Sequence, residues 1–355
     1  MRTLQIHTDP PYEVEIGSGL LSEAGDRIYR LHAPSKALIV SDRTVDALYG
    51  GRVRRSLEDK GVEVSTFLFP PGESAKTWAT AGELLERMAQ AELSRGDVLV
   101  TLGGGVTGDL GGFAASVYLR GIPFVQLPTS LLAGVDASVG GKTAVDLPQG
   151  KNLAGAFHQP SLVLCDLDAL DTLPIVHWKE GAAEALKCGI LADRRLLDLF
   201  IEEKLQDRAE ELLFRSVAVK GALVAEDPLD QGRRRLLNLG HTPAHAIERL
   251  SGFRIPHGQA VAMGLGVMAG ASRRLGLMNE KDYNTIRGAL SQLKLPLQVP
   301  YSADQLAHAA RMDKKRSKRW IDLVIPYGVG DCRLEKKELT ELLPLFRLGL
   351  EDVNG

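Results

Sequence analysis

Cysteine is scarce in this chain of 355 residues: three, at Cys165, Cys188 and Cys332, far apart and with no Cys-x-x-Cys pair. That excludes a disulfide framework and a zinc site built from paired thiolates, and it fits a reducing compartment. Long apolar runs are missing too. The longest, residues 260–271, is rich in glycine and falls short of the ~18–20 residues that cross a bilayer. Residues 1–10 lack the apolar core of a signal peptide, so a cytoplasmic protein with no membrane partner is expected. There is no basic excess either. Lys and Arg total 43 against 45 Asp and Glu, a formal charge of −2, which argues against general affinity for nucleic acid. Any attraction for an anion has to come from local clustering. Internal repeats and low-complexity segments are absent.

What remains is an ordinary globular composition, 44% hydrophobic and 25% charged, on a length that suits about two domains. The first half alternates strand-like and helix-like segments. Residues 37–42, 62–69 and 97–102 read as strands, and 44–60 and 78–91 as amphipathic helices. This rhythm predicts a largely parallel sheet covered by helices. Residues 14–20, with a Gly17-Ser18-Gly19 turn, read as an antiparallel flap. After Leu173-Pro174 the texture becomes helical: 176–200, 205–226, 244–250, 260–275, 280–293 and 303–311. A late β-like run, 320–326, pairs with 331–334 as a small ribbon. The expected architecture is an α/β, Rossmann-like nucleotide-binding domain over residues 1–174, followed by a mainly α-helical metal- and substrate-binding domain over 175–355.

The strand at 97–102 runs directly into Gly103-Gly104-Gly105-Val106-Thr107-Gly108-Asp109. Glycines there let the backbone approach a pyrophosphate, and the helix that follows aims free N–H groups at the anion. The loop is not expected to carry the usual Gly-x-Gly-x-x-Gly fingerprint, and the same glycines would also serve tight strand–helix packing alone. Pro70-Pro71-Gly72-Glu73-Ser74-Ala75-Lys76, after another strand, supplies a carboxylate and an ammonium suited to ribose or phosphate. Asp42, at a strand end, is placed to accept hydrogen bonds from a ribose.

Three segments of the second half carry metal-binding chemistry. Residues 178–187 read as a helix with Glu184 and Lys187 on one face. A surface ion pair is the plain reading, but alanines and leucines surround Glu184, where a lone carboxylate is expensive. His241 and His245 stand four apart, as a zinc pair on one helical face would. Pro243 suits the first helical position with Thr242 as N-cap, which would leave His241 ahead of the helix. His257 precedes the apolar run at 260, a place that more often holds a capping or solvated histidine. Together Glu184, His241 and His257 make one carboxylate and two imidazoles with a coordination position open, the composition of a catalytic divalent-metal set.

These residues resemble the 3-dehydroquinate synthase family of sugar-phosphate cyclases from about residue 14 to 331. The blocks that carry the resemblance are Pro71-Gly72-Glu73-Ser74-Ala75-Lys76, the Gly103–Asp109 loop, Tyr118-Leu119-Arg120-Gly121, Leu127-Pro128-Thr129-Ser130, Val135-Asp136-Ala137-Ser138-Val139-Gly140-Gly141-Lys142-Thr143, Gly150-Lys151-Asn152, Glu184-Ala185-Leu186-Lys187, Leu236-Leu237-Asn238-Leu239-Gly240-His241 and His257-Gly258. The resemblance implies a metal, zinc or else cobalt, on Glu184, His241 and His257. It implies NAD contacts from Asp42, Glu73, Lys76, Gly104, Gly105, Asp109, Thr129, Ser130, Lys142, Lys151, Thr172 and Leu173. Substrate contacts follow for Arg120, Lys142, Asn152, Lys220, Arg234, Asn238 and Lys314 or Lys315, with Asp136, Lys142, Lys187 and His245 handling protons or hydroxyls. It also implies a homodimer in which Arg120 reaches the neighbouring site. Three positions depart from the family pattern: Ser130 for threonine, Ala244 for glycine and Gln259 for glutamate.

The implied reaction converts 3-deoxy-D-arabino-heptulosonate 7-phosphate to 3-dehydroquinate and phosphate, a shikimate-pathway step toward the aromatic amino acids. It runs through transient oxidation by NAD+, β-elimination of phosphate, re-reduction and aldol closure, which makes the enzyme a carbon–oxygen lyase. Lys220 and Arg234 suit the substrate's carboxylate, since guanidinium pairs with it bidentately. A cyclase acting on glucose 6-phosphate or a neutral heptulose phosphate has no such group to bind. A metal-dependent polyol dehydrogenase would release NADH stoichiometrically and has little use for so many cations.

Overall fold

The computed structural model describes residues 1–202, 204–313 and 319–354, and the chain forms two compact units, Met1–Pro174 and Ile175–Gly355. In the first, the strands are β1 (Arg2–Ile6), β2 (Tyr12–Gly17), β3 (Lys36–Asp42), β4 (Glu63–Phe69), β5 (Val98–Gly103), β6 (Phe124–Pro128), β7 (Lys142–Leu147), β8 (Gly150–Phe157) and β9 (Leu162–Asp166). Seven of them make one sheet in the order β1-β2-β9-β6-β5-β3-β4. Every pair from β2 to β4 is parallel, and only β1 runs antiparallel. The near-continuous apolar runs of β3 and β5 follow from this, because α1 (Ala24–His32), α2 (Arg43–Val45), α3 (Gly51–Glu58), α4 (Trp78–Gln90) and α5 (Gly105–Val117) build cores on both sheet faces.

The segment expected as an antiparallel flap at 14–20 does run antiparallel to β1, but it is also built into the main sheet. Tyr12, Val14 and Ile16 alternate into the core, and β2 lies parallel to β9. The turn is real, with Gly19 at φ 78° and its N–H donated to Asp166 and Asp168. The helix expected over 44–60 is interrupted by a π turn at Asp46–Gly50, where a Cβ on Gly50 would sit 2.0 Å from Asp46 Oδ1. β7 and β8 form a two-stranded hairpin outside the main sheet, with Thr143 and Val145 of β7 buried and no position of β8 buried; no strands are expected there from the sequence.

Strand β3 has β4 on one side and β5 on the other, so the strand order reverses there. Open α/β sheets bind ligands outside the carboxyl ends of the strands at such a point. Asp42 ends β3 and Gly103 ends β5, while the Glu73–Lys76 segment follows β4.

The second unit packs α6 (Ile175–Ala192), α7 (Arg194–Ile201), α8 (Ala209–Glu226), α9 (His241–Leu250), α10 (His257–Arg274), α11 (Glu280–Gln292), α12 (Ala303–Asp313) and α13 (Leu342–Val353), with a hairpin of β10 (Trp320–Gly328) and β11 (Asp331–Glu338). The amphipathic run at 176–200 is two helices. Asp193 breaks it by accepting the N–H of Leu196 and capping α7. Helix α10 touches both α6 and α9, and glycines permit the approach. A Cβ on Gly258 would lie 2.4 Å from Glu180 Cα, and one on Gly264 would lie 2.1 Å from the Gly240 carbonyl. No helix among the described residues is long and apolar enough to cross a membrane.

Candidate active site

Three helices of the second unit bring Glu184, His241 and His257 together. One ligand atom from each lies within 4.8 Å of the others. Glu184 comes from the middle of α6, His241 from the first residue of α9 and His257 from the first residue of α10. Helix α9 begins earlier than expected: Gly240, at φ 76°, precedes it, and its carbonyl accepts the Ala244 N–H at 3.1 Å. Thr242 is therefore not the cap and Pro243 is the third helical residue, still within the turn whose N–H groups lack helical partners. The cause is tertiary, since Gly240 is held against Leu265 of α10.

Glu184 is wholly buried, and its Oε1 lies 3.1 Å from His257 Nε2 and 3.5 Å from His241 Nε2. Lys187 Nζ stands 2.5 Å from Oε2 in an ion pair whose angles are not those of a hydrogen bond, so Oε2 has no aligned donor. Burial alone would raise the Glu184 carboxyl, but Lys187, His241 and His257 outweigh it and hold the group well below the ordinary carboxylate range. His241 donates Nδ1–H to the Leu239 carbonyl at 3.1 Å, which turns the Nε2 lone pair toward Glu184. Burial and the Lys187 ammonium push its pKa down to about 3. Burial works against protonated His257 as well, yet Glu184 on one ring nitrogen and Glu248 on the other push it up to about 10.

A buried carboxylate, a neutral imidazole with its lone pair directed inward and a second imidazole holding a proton between two carboxylates fit a divalent cation, which would take that proton's place. His245 lies outside the trio but close: its ring centroid is 5.5 Å from that of His241 and 6.5 Å from that of His257. His241, His245, Thr242 and Asn238 line one cavity of about 380 Å³ with Arg235 and Trp320. Lys220 on α8 and Arg234 in the turn after it are buried, 7% and 1% exposed. Arg234 donates to the Pro228 carbonyl and takes its place in a turn closed by Asp227. Lys314 and Lys315 lie outside the described residues. Of the departures in this unit, Ala244 is fully buried in α9, and Gln259 donates weakly to the Pro296 carbonyl. Neither is among the three ligands.

In the first unit, Lys76 gathers the nucleotide-loop candidates. Its Nζ lies 2.9 Å from Glu73 Oε1, 3.1 Å from Asp109 Oδ2 and 2.8 Å from Asn152 Oδ1, and Lys151 approaches the same Glu73 oxygen at 3.8 Å. Burial disfavours this ammonium, but Asp109 and Glu73 hold its pKa above the ordinary lysine value. Asp146, absent from the sequence reading, completes the group by accepting the Asn152 N–H. Asp42 accepts Thr44 and Val45 N–H through Oδ1, so it caps α2 as well as standing at the strand end. Thr129 is tied to the Gly103 carbonyl, Ser130 Oγ caps the turn below it, and Thr172 bonds Tyr49, with Leu173 next to it in the turn after β9. Asp136 sits in a π turn at Ala133–Ala137, Lys142 opens β7, and Arg120 is exposed at φ 69°.

The glycines of the loop separate into two kinds. Contrary to the expectation that the loop departs from the Gly-x-Gly-x-x-Gly fingerprint, Gly103 at the end of β5 and Gly105 and Gly108 in the first turn of α5 fall at that spacing. A Cβ would collide with Thr107 Oγ1 at 2.3 Å on Gly103, with Gln126 at 2.5 Å on Gly108 and with Thr101 at 2.3 Å on Gly111. Those three serve packing. Gly104 has neither a positive φ nor a crowded Cβ position, its nearest neighbour being Ser130 Oγ at 3.5 Å. A Gly104→Ala protein should therefore fold with unchanged or slightly raised stability, by ~0.4–1 kcal/mol, and, if Gly104 faces the cofactor's pyrophosphate as the family resemblance implies, its NAD+ affinity should drop. Gly111→Ala should instead lose ~1–3 kcal/mol by overpacking. Thermal denaturation and nucleotide titration of the two variants check this.

The fold and site place the chain among the sugar-phosphate cyclases. It superposes on a 2-deoxy-scyllo-inosose synthase crystallised with carbaglucose-6-phosphate, NAD+ and Co2+ (TM-score 0.87, 25% identity, covering 98% of this chain and 99% of that one). It superposes similarly on the 2-epi-5-epi-valiolone synthase ValA from Streptomyces hygroscopicus, crystallised with NAD+ and Zn2+ (TM-score 0.85, 29% identity, 96% of each chain). Family models described as 3-dehydroquinate synthase N-terminal and C-terminal match residues 66–180 and 181–316. The chain is 44% identical over 341 residues to a 3-dehydroquinate synthase of Caulobacter vibrioides, covering 92% of each, and 41% identical over 345 residues to one of Synechococcus sp., covering 94% of each. It belongs to the 3-dehydroquinate synthase family.

Proposed function

We propose that the chain is a 3-dehydroquinate synthase, converting 3-deoxy-D-arabino-heptulosonate 7-phosphate to 3-dehydroquinate and phosphate. The observation that carries this reading is the Glu184–His241–His257 trio in a chain of this family. When bound, NAD supplies reversible hydride acceptance, and Zn2+ or Co2+ on the trio supplies Lewis acidity at the substrate's hydroxyls.

The chain's own residues do the rest. Glu73, Lys76, Asp109 and Lys151 form a charged cluster that suits a nucleotide's ribose and phosphates, with Asp42, Gly104, Gly105, Thr129, Ser130, Thr172 and Leu173 at the carboxyl ends of the strands. Lys220 and Arg234 take the substrate carboxylate; both are buried, so the pairing is made out of water. Lys142, Arg120 and the Asn152 amide, whose oxygen is held by Lys76, bind phosphate. Asn238, His245, Lys187 and Asp136 orient hydroxyls or move protons. Lys187 is held against Glu184, and His245 lies one helical turn from His241 with its ring edge-on. Phosphate elimination makes the enzyme a carbon–oxygen lyase. A homodimer and a cytoplasmic setting complete the reading, supported by the exposed Val117 and Leu119 beside Arg120 and by the small number of cysteines, far apart in the sequence.

Turnover of three substrates tests it. The heptulosonate phosphate should release phosphate, while glucose 6-phosphate and a neutral heptulose 7-phosphate should be inert. Turnover of either neutral sugar in preference would assign the chain to another cyclase activity.

A further inference from the structure

We propose that Glu248 is the positioning residue of the metal centre: its carboxylate accepts the Nδ1 proton of His257 and so fixes the ring with Nε2 toward the ion. This rests on the reading of Glu184, His241 and His257 as metal ligands. Glu248 lies seven residues after His241 on α9, two turns along the same face, and is 7% exposed. Its Oε1 stands 3.4 Å from His257 Nδ1, on the ring edge opposite Glu184.

The backbone of Glu248 also anchors the loop that delivers His257. Its carbonyl accepts Phe253 N–H at 2.8 Å and Ser251 Oγ–H at 2.8 Å, and that same Ser251 oxygen accepts Ile255 N–H at 3.2 Å. Gly252 and Phe253, both at φ 61°, turn the chain tightly enough to close this path.

The two histidines are oriented by different groups. His241 gives its Nδ1 proton to a neutral carbonyl, whereas His257 faces a full negative charge, which raises the basicity of the coordinating nitrogen further. The charge count explains why one is needed. Lys187 neutralises Glu184 at 2.5 Å, so without Glu248 the centre would hold a dication beside an ammonium against one carboxylate. The family resemblance gave no role to Glu248.

The test is Glu248→Gln, near-isosteric and uncharged. Competition against a chromophoric chelator should show Zn2+ and Co2+ affinity reduced about 10–100-fold. NAD+ affinity should stay at the wild-type value, and excess metal should restore kcat. Cobalt-loaded wild type should also show exchangeable, paramagnetically shifted N–H protons for two histidines, with the His257 signal exchanging faster in the variant. Wild-type metal affinity in a folded Glu248→Gln protein, or a single such N–H in the wild type, would overturn the assignment. Wild-type protein that binds neither metal would instead overturn the ligand reading beneath it.

Discussion

Glu184→Gln is expected to abolish metal binding and turnover while NAD+ still binds. The carboxylate supplies the only charged donor of the trio, at 3.1 and 3.5 Å from the two imidazoles. Its loss should weaken metal affinity by well over the ~100-fold that losing an outer partner brings. A second effect appears in the metal-free protein. Lys187 is 2% exposed and His257 is held protonated by its carboxylate neighbours, so neutralising Glu184 removes the negative member of a buried ion pair. Breaking a buried pair in this way costs about 3–5 kcal/mol. In a unit of this size that lowers the melting temperature on the order of 10 °C. Chelator competition reads the first effect and calorimetry of the apoprotein the second. A variant that keeps its metal would remove Glu184 from the ligand set.

Lys76→Met should cost the first unit both stability and cofactor. One nearly buried ammonium serves Glu73, Asp109, Asn152 and, at 3.9 Å, Asp146. Because these carboxylates are 19–40% exposed, the penalty is discounted from the fully buried case to about 2–3 kcal/mol. Lys151→Met, at an exposed position 3.8 Å from Glu73, should change stability by less than ~0.5 kcal/mol. The pH dependence follows from the sign of the shift. The folded-state pKa of Lys76 is raised, so its stabilisation is fully present below the unfolded value of ~10.4 and is lost only as pH rises through the folded one. The Lys76→Met penalty should therefore be constant from about pH 6 to about pH 9. Loss of charge-assisted hydrogen bonds worth ~1.5–3 kcal/mol should weaken NAD+ binding about 10–100-fold. Equal melting temperatures for wild type and Lys76→Met would contradict this account.

What the sequence made legible was what repeats locally. The buried parallel strands read as apolar runs, and the α/β half followed by a helical half appears as expected. Element types survived even where boundaries moved. Most of the errors come from contacts made at long range, whereas the interruptions at Asp46–Gly50 and Asp193 are local. Pro243 pointed to a later start for α9, but the approach of Leu265 to Gly240 sets it two residues earlier. The antiparallel pairing of β2 with β1 was legible nearby, whereas its parallel partner β9, which builds it into the main sheet, lies about 150 residues on and leaves no nearby trace. The β7–β8 hairpin is short, and only β7 alternates, with Thr143 and Val145 buried, while β8 has no buried position.

At the site, family motifs pointed to Glu184, His241 and His257, and the fold brings them to one place. Asp146 escaped notice because nothing local links it to Lys76. Glu248 was within reach: a carboxylate two helical turns beyond a candidate ligand shares its face. Only the folded path of residues 251–256 shows which histidine it meets.

Phosphate release followed together with absorbance at the NADH band, with NAD+ far below substrate and the metal first stripped and then restored, tests the central claim most directly. The account predicts no phosphate without metal. With Zn2+ or Co2+ returned, it predicts many phosphates per nicotinamide and a flat NADH signal. NADH accumulating in step with substrate consumed, or full turnover in the stripped protein, would contradict it.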